Sequence, residues 1–359
     1  MKKINLLKTI MASSLLLLAS CGNDNNSQSS SNNSTSENTS TTQKVKVGVG
    51  YDVSFTYTDE SSSAQISVAT AFVAFDSTTN KVAANRMDVV QFNLVANEAK
   101  DGTTLKEGTA LRDDGYVKTK IELGSDYGMF GSYGSSLAEF DVQLESYASW
   151  TVGKTVSEIE NGANDEALKA SCTVGTAQFS KAISNAYTNV SNIEYSNVET
   201  NKAGVALNTY LSNSKEVVVD VAGALVNADN KVVASSVDSI VVALNVADTG
   251  TISVNTSEKY HKGSTETEIK YLSKKTLKDD YGMKAYAGSA KEWYEQIASL
   301  EQTSVNKTAA EIGNLVKDDG SENPNIISGA TINVTSYVSA LKRATEYAKL
   351  MPIGPQHTK

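Results

Sequence analysis

One short loop near the C-terminus holds the residues of this chain best suited to binding an anion. Ser328-Gly329-Ala330-Thr331 stands just before a helical pattern. Small side chains let a ligand approach the backbone closely, and the amides and dipole at a helix N-terminus favour negative charge. The hydroxyl of Thr331 could contact a phosphate or be esterified by one. Taken alone, the pattern also fits a simple turn before a helix.

The rest of the chain offers little other chemistry. His261 and His357 lie far apart, without nearby cysteines or a carboxylate pattern. We therefore predict no metal site and no histidine-based triad. Cys172 is interpreted as an inert loop cysteine, because reactivity requires a lowered pKa that the sequence does not indicate. A net charge of −9 with no basic stripe argues against nucleic-acid binding. No catalytic residue is predicted.

The N-terminus is typical of a targeting segment. Lysines near the start precede an apolar run over residues 10–19, which is too short for a stable membrane span. The run ends in Leu18-Ala19-Ser20-Cys21-Gly22, which resembles a bacterial lipobox. That resemblance implies a signal peptide over 1–20 and acylation of Cys21. The expected location is the extracytoplasmic face of the cell membrane, held by a lipid anchor. An ordinary secretory signal is the alternative.

A polar segment follows the predicted lipidation site. Residues 22–43 are almost entirely Asn, Ser, Thr and Gln, so they have nothing apolar to bury and are expected to be disordered. Such a chain has a root-mean-square span of roughly 25 Å. We interpret 21–43 as the lipidated cysteine and a tether, and 352–359 as a C-terminal tail.

The remainder of the sequence repeats itself. Three pairs of segments recur about 150 residues apart: Asn80–Ala84 with Asn230–Ala234, Asp126–Met129 with Asp280–Met283, and Gly153–Ile159 with Asn306–Ile312. Near-constant spacing predicts two copies of one domain. We place the first copy at 44–196, a polar linker at 197–214, and the second copy at 215–351.

Each copy shows strands first and helices later, which predicts an α+β fold with an antiparallel sheet. The predicted strands are Ala64–Phe75, Val89–Ala96 and Thr119–Leu123 in the first copy, and Glu216–Val226, Ser239–Val246 and Glu266–Leu272 in the second. A helix follows in each copy, with one apolar face formed by Phe140, Leu144 and Tyr147, or by Trp293, Ile297 and Leu300. The last helices are predicted at Phe179–Ala186 and Tyr337–Leu350, the second capped by Thr335 or Ser336.

The loop before the last helix, on an extracytoplasmic lipoprotein of tandem domains, resembles the FMN-binding domain family. In covalent members of that family, the threonine of Ser-Gly-Ala-Thr carries FMN through a phosphoester bond made by a dedicated flavin transferase. The resemblance implies that Ser328, Gly329, Ala330 and Thr331 bind FMN and that Thr331 is the attachment point. In the first copy, Ala170–Val174 occupies this place. Thr173 remains there without the glycine, so we expect no covalent flavin in the first copy and keep Thr173 only as a secondary candidate for contact with FMN.

The same resemblance implies an electron-transfer flavoprotein without a substrate of its own. Its partners would be the membrane, the flavin transferase, and redox proteins or quinone-linked electron donors. Trp293, Tyr281, Tyr286 and Met283 are available near the flavin ring. We interpret Trp293 as core and the Tyr-Gly-Met motifs as turns that pack a helix onto the sheet.

Two alternatives stay open. A flavin-free surface binding or structural lipoprotein that kept the fold is favoured by Asn325, where covalent members usually carry an acid, and by Ile332, where Ser or Thr often follows. A solute-binding lipoprotein of a transporter is less favoured, because its two α/β lobes require a βαβ alternation that is absent from this sequence.

Overall fold

The computed structural model describes residues 43–58, 63–130, 134, 136–197, 201–263, 269–316 and 327–350. The predicted signal peptide, Cys21, most of the tether, Asn325 and the C-terminal tail lie outside these described residues. The fold is α+β, with antiparallel sheets packed against helices as predicted. Within the described ranges, no helix is long and apolar enough to cross a membrane.

The first repeat is built on a five-stranded antiparallel sheet in the order β4-β3-β2-β1-β5. Its strands are β1 Gln43–Thr58, β2 Ser63–Asp76, β3 Val82–Ala96, β4 Thr103–Leu105 and β5 Tyr195–Asn197. Its helices are α1 Lys120–Leu123, α2 Phe140–Thr151, α3 Val156–Glu160, α4 Glu166–Ser171 and α5 Ala177–Thr188, with short 3-10 turns at Gly124–Tyr127 and Gly162–Asn164.

The second repeat has a matching sheet in the order β12-β6-β7-β8-β9. Its strands are β6 Lys202–Asn213, β7 Glu216–Val226, β8 Val232–Val246, β9 Ile252–Val254 and β12 Lys349–Leu350, with a small separate hairpin of β10 His261–Lys262 and β11 Lys270–Tyr271. Its helices are α6 Lys274–Leu277, α7 Met283–Ala287, α8 Trp293–Ser304, α9 Ala309–Gly313 and α10 Thr335–Glu346, with a 3-10 turn at Lys278–Tyr281.

The predicted linker at 197–214 contains the strand β6, which pairs with β7 in the second sheet. One polar residue of β6, Asn208, is fully buried and donates to the backbone oxygen of Ser336 at 2.8 Å. Gly204 is needed because a Cβ there would collide with the carbonyl oxygen of Ala344 in α10.

The predicted strand at Thr119–Leu123 is wrong. Lys120–Leu123 forms helix α1, and a capping box at its start explains the difference. The backbone amide of Glu122 donates to the hydroxyl of Thr119, and the amide of Thr119 donates to the carboxylate of Glu122. These two bonds satisfy amides that a first helical turn leaves unpaired. Of the matching segment Glu266–Leu272, Lys270–Tyr271 forms β11, and its first three residues lie outside the described ranges.

The helix boundaries follow the predicted amphipathic faces with two further corrections. The last helix is predicted to reach Leu350, but it ends at Glu346, and Lys349–Leu350 forms the edge strand β12. The predicted apolar faces of α2 and α8 are buried. Helix α10 begins at Thr335, so neither Thr335 nor Ser336 is its cap. Instead, the side-chain oxygen of Asn333 accepts from the amide of Thr335 at 2.9 Å.

The two repeats pack sheet against sheet. A large apolar cluster contains buried residues of both sheets, including Val47, Ile66, Leu207 and Val219. Two further clusters lie between each sheet and its own helices. The arrangement is therefore a four-layer α-β-β-α sandwich. Each fully buried aliphatic side chain contributes roughly 1.5–3 kcal/mol, so the contact between the repeats is part of the core.

A buried polar cluster also joins the repeats. Glu122 of the first repeat forms ion pairs with Arg343 of the second and, at 3.5 Å, with Arg112. Each arginine also donates to the carbonyl oxygen of Leu207 at 3.0 Å. Because both arginines share one carboxylate and one strand carbonyl, this cluster fixes the position of α10 relative to the first repeat.

Candidate functional site

The loop that carries Thr331 is anchored on a single side chain, Gln296 of helix α8. The side-chain oxygen of Gln296 accepts from the amide of Thr331 at 2.6 Å, the Thr331 hydroxyl at 3.1 Å and the amide of Ile332 at 3.2 Å. Thr331 itself remains exposed to solvent. The anchor therefore holds the hydroxyl at a fixed and accessible place.

Gln296 is itself held in one orientation. It is buried, and its amide nitrogen donates to the hydroxyl of Ser289 at 3.2 Å and to the carbonyl oxygen of Lys291 at 3.1 Å. These donated bonds fix which end of the side chain faces Thr331. One buried amide thus ties the Thr331 loop to the segment that precedes helix α8.

Gly329 gives the loop its shape. Its φ of +99° lies in the region that glycine adopts without strain. A Cβ at Gly329 would lie 2.6 Å from the ammonium nitrogen of Lys291 and 3.0 Å from the hydroxyl of Ser299. The missing side chain therefore lets a cation approach the backbone two residues before Thr331. Lys291 supplies the positive charge that a phosphate on this loop would need.

A pocket with several aromatic walls lies around the start of helix α10. Its volume is about 340 Å³, and it is lined by Tyr116, Tyr210, Asp220, Asn333, Thr335, Ser336 and Tyr337. Tyr116 comes from the first repeat and meets Tyr210 edge to face at 5.6 Å. Asn333 lies two residues after Thr331. Thr331 and Lys291 do not line this pocket, and both repeats contribute to its wall.

A buried charged group lies behind this pocket. The ammonium group of Lys274 donates to the hydroxyl of Tyr337 at 3.2 Å. Burial lowers the pKa of Lys274, but Tyr337, Tyr281 and Asp220 raise it, and the net pKa lies above its ordinary value. Burial raises the pKa of Tyr337 to about 12. At neutral pH, therefore, a protonated amine and a neutral phenol stand at the back of the pocket.

The Tyr-Gly-Met motifs form turns in both repeats, as predicted. Gly128 and Gly282 have left-handed backbone conformations at the ends of the 3-10 turns. In the second repeat, the carboxylate of Glu292 accepts from the amides of Met283 at 2.8 Å and Lys284 at 3.0 Å. Glu139 accepts from Met129 in the same way at 3.2 Å. These motifs therefore attach the turn to the first turn of α2 or α8.

The aromatic residues that the sequence offered near the flavin ring take different places. Trp293 is buried in the core and meets Tyr337 edge to face at 5.6 Å, so it belongs to the wall beneath the pocket. Tyr281 and Met283 are partly buried against the same cluster. Tyr286 is 89% exposed and does not line the pocket.

The first repeat has the glutamine that anchors the threonine but lacks the glycine and the lysine. The side-chain oxygen of Gln143 accepts from the amide of Thr173 at 2.8 Å and its hydroxyl at 2.9 Å. At the place of Gly329 stands Ser171, the last residue of helix α4, and at the place of Lys291 stands Ala138. Thr173 therefore has the same hydrogen bonds as Thr331 without a neighbouring cation or an open glycine.

In the second repeat, Lys291 and the open backbone at Gly329 are groups that an anion could contact. The pocket at the start of helix α10 offers tyrosine rings as an aromatic surface. Cys172 is buried, and burial raises the pKa of its thiol, which disfavours the reactive thiolate. Within the described residues, no group of three or more His, Cys, Asp or Glu side chains is placed to hold a metal ion.

The structure adds three residues that the sequence interpretation missed: Gln296, Lys291 and Tyr116. Gln296 had a usable signal, since a glutamine stands three residues after the aromatic residue on the apolar face of the helix in both copies. A polar residue repeated on a buried face needs a partner. No pattern in the sequence indicated Tyr116, because its contact with Tyr210 joins two different repeats.

Comparison with known protein families, characterised proteins and solved structures finds no match to this chain.

Proposed function

We propose that this chain is a membrane-anchored extracytoplasmic lipoprotein that binds FMN at Thr331 and relays electrons. The observation that carries the proposal is the loop of the second repeat. There an exposed threonine follows a left-handed glycine that the ammonium group of Lys291 approaches, and a pocket lined by tyrosines includes Asn333, two residues after Thr331. The first repeat has the threonine but neither the glycine nor the lysine.

Bound FMN supplies one- and two-electron redox chemistry. The role of the chain is to hold and orient it. Gln296 keeps the Thr331 hydroxyl exposed and in place for a flavin transferase. Once the hydroxyl proton is replaced by phosphorus, Thr331 can no longer donate through its hydroxyl. The two backbone amides of Thr331 and Ile332 still donate to Gln296, so the loop keeps its anchor after modification.

The charges around the loop match a phosphate diester. Lys291 lies beside Gly329, and the helix α10 begins four residues after Thr331, where the side chain of Asn333 accepts from the amide of Thr335. A cation and a helix N-terminus both stabilise a nearby anion. Lipidation at Cys21 would hold this site near the membrane, where redox proteins or quinone-linked donors could reach it.

The test is to express residues 22–359 together with a flavin transferase and record the visible spectrum and intact mass. We expect a yellow protein whose mass exceeds that of the chain by one FMN less one water. Thr331→Ala should abolish the mass increase, and the matched variant Thr173→Ala should keep it. A colourless protein of unmodified mass that also fails to bind added FMN would refute the proposal.

A flavin-free surface binding or structural lipoprotein is the second candidate. One observation favours it: each repeat holds its threonine with an equivalent glutamine, Gln143 for Thr173 and Gln296 for Thr331, although only one repeat has the full Ser-Gly-Ala-Thr loop. A threonine kept for this anchor needs no flavin. The two candidates differ in the same experiment, because this one predicts no colour and no change in mass.

A further inference from the structure

A second cavity lies at the junction of the repeats, among residues separate from those of the Thr331 loop. Its volume is about 300 Å³. Most of its wall is apolar and comes from both repeats: Met87, Ile121, Leu144, Ala148, Val205 and Tyr347. Arg86 and Asp88 add polar atoms on one side.

The equivalent place in the second repeat is filled by an ion pair. The ammonium group of Lys275 lies 2.5 Å from the carboxylate of Glu301 and 3.0 Å from the hydroxyl of Ser236. The same carboxylate accepts from the amide of Val237 at 2.7 Å. Both charged side chains are largely buried, so they occupy the space between helix α8 and the sheet.

The first repeat replaces both members of that pair with smaller or apolar residues. Ile121 stands where the second repeat has Lys275, and Ala148 stands where it has Glu301. The matching strand residues are Arg86 for Ser236, Met87 for Val237 and Asp88 for Asp238. Arg86 and Met87 are larger than their counterparts and form part of the cavity wall. The open space lies where Lys275 and Glu301 stand in the second repeat.

The size and lining of the cavity indicate its ligand. A dry apolar cavity of roughly 150 Å³ accepts benzene, and this cavity has about twice that volume. The charged residues in its wall are Arg86, Asp88, Asp141, Glu145, Glu346 and Lys349. Lys349 pairs with Glu145 at 3.3 Å, Glu145 also lies near Arg86, and Glu346 pairs with Lys342 at 2.7 Å. Because most of these charges already have a partner in the chain, the wall does not favour an ion. Binding pockets of this kind use a few polar atoms to orient a mostly apolar ligand.

We infer that this cavity binds a neutral two-ring aromatic molecule with one hydrogen-bond acceptor, which Arg86 orients. The inference does not depend on flavin, because none of the residues that line this cavity belongs to the Thr331 loop or its tyrosine pocket. Both repeats are needed for the site, since Val205 and Tyr347 of the second repeat close a cavity that begins on helix α2 of the first.

The probe is quinoline at pH 8, where it is neutral, titrated into the protein by isothermal calorimetry. We expect one binding site per chain. The double variant Ile121→Lys with Ala148→Glu installs the ion pair of the second repeat and should weaken binding at least tenfold. Ala148→Leu fills the same space without charge, and it provides the same test if the double variant does not fold.

The reciprocal variant serves as the matched control. Lys275→Ile with Glu301→Ala, combined with Ser236→Arg to supply the orienting side chain, should open a second cavity and raise the number of bound quinoline molecules to two. Thr331→Ala should leave quinoline binding unchanged, which separates this site from the proposed flavin site. The inference is overturned if quinoline does not bind the unaltered chain, or if it binds the folded filling variants with unchanged affinity.

Discussion

Removal of the Gln296 side-chain amide is expected to release the Thr331 loop while leaving the rest of the fold in place. Gln296→Leu keeps a similar volume and eliminates three accepted bonds, from the amide and hydroxyl of Thr331 and the amide of Ile332. Each such bond contributes roughly 1 kcal/mol net. The loop should therefore lose about 3 kcal/mol of local stability, which corresponds to an opening equilibrium increased by roughly a hundredfold.

Amide hydrogen exchange measures this opening directly. In Gln296→Leu, the amides of Thr331 and Ile332 should exchange with solvent about a hundredfold faster, because the loop loses about 3 kcal/mol of local stability with the three bonds. The matched variant Gln143→Leu should accelerate exchange at Thr173 by a smaller factor, because Gln143 accepts two bonds there instead of three. Unchanged exchange at Thr331 and Ile332 in the folded Gln296→Leu protein would refute the anchoring role.

Three further changes test the packing and charge of the fold. Burial raises the pKa of Asp88 to about 7, so its contribution to stability is present below about pH 4 and lost as the pH rises through about 7. The free energy of unfolding of Asp88→Asn, measured in urea, should change less between about pH 4 and pH 7 than that of the unaltered chain, by up to about 4 kcal/mol. An equal change with pH in both proteins would contradict this. Glu122→Ala leaves Arg343 buried without its carboxylate and should cost roughly 3–5 kcal/mol in urea unfolding, whereas a cost below about 1 kcal/mol would show that the cluster does not hold the repeats together. Gly204→Val places a side chain against the Ala344 carbonyl and should lower the melting temperature sharply; a melting temperature equal to that of the unaltered chain would contradict the close packing of α10.

The repeat and the order of elements could be predicted because they depend on local pattern. Alternation in β2 and β7 and the apolar faces of α2 and α8 are visible in one copy and again in the other. The first strand of each repeat, β1 and β6, was missed. In β6, tertiary contacts set the composition. Gly204 is there for the close approach of α10, and Asn208 is there for its bond to Ser336. Neither of these contacts produces a periodic pattern in the sequence.

The candidate site was predictable only in part for the same reason. Thr331 and Gly329 belong to one short motif, so the sequence identified them together. Lys291 lies near them only after the chain folds back, and its distance to Gly329 depends on how α8 packs against the loop. Tyr116 reaches the pocket from the other repeat. A contact between distant segments leaves no mark in either segment alone.

Site-resolved mass spectrometry tests the central claim most directly. The protein, co-expressed with a flavin transferase, is digested, and the peptide that contains Ser328–Thr331 is fragmented. We predict that FMN is found on Thr331 and is absent from the peptide that contains Thr173. Unmodified Thr331 in a protein that carries no flavin elsewhere would contradict the account, and flavin on Thr173 alone would contradict the role assigned to Gly329 and Lys291.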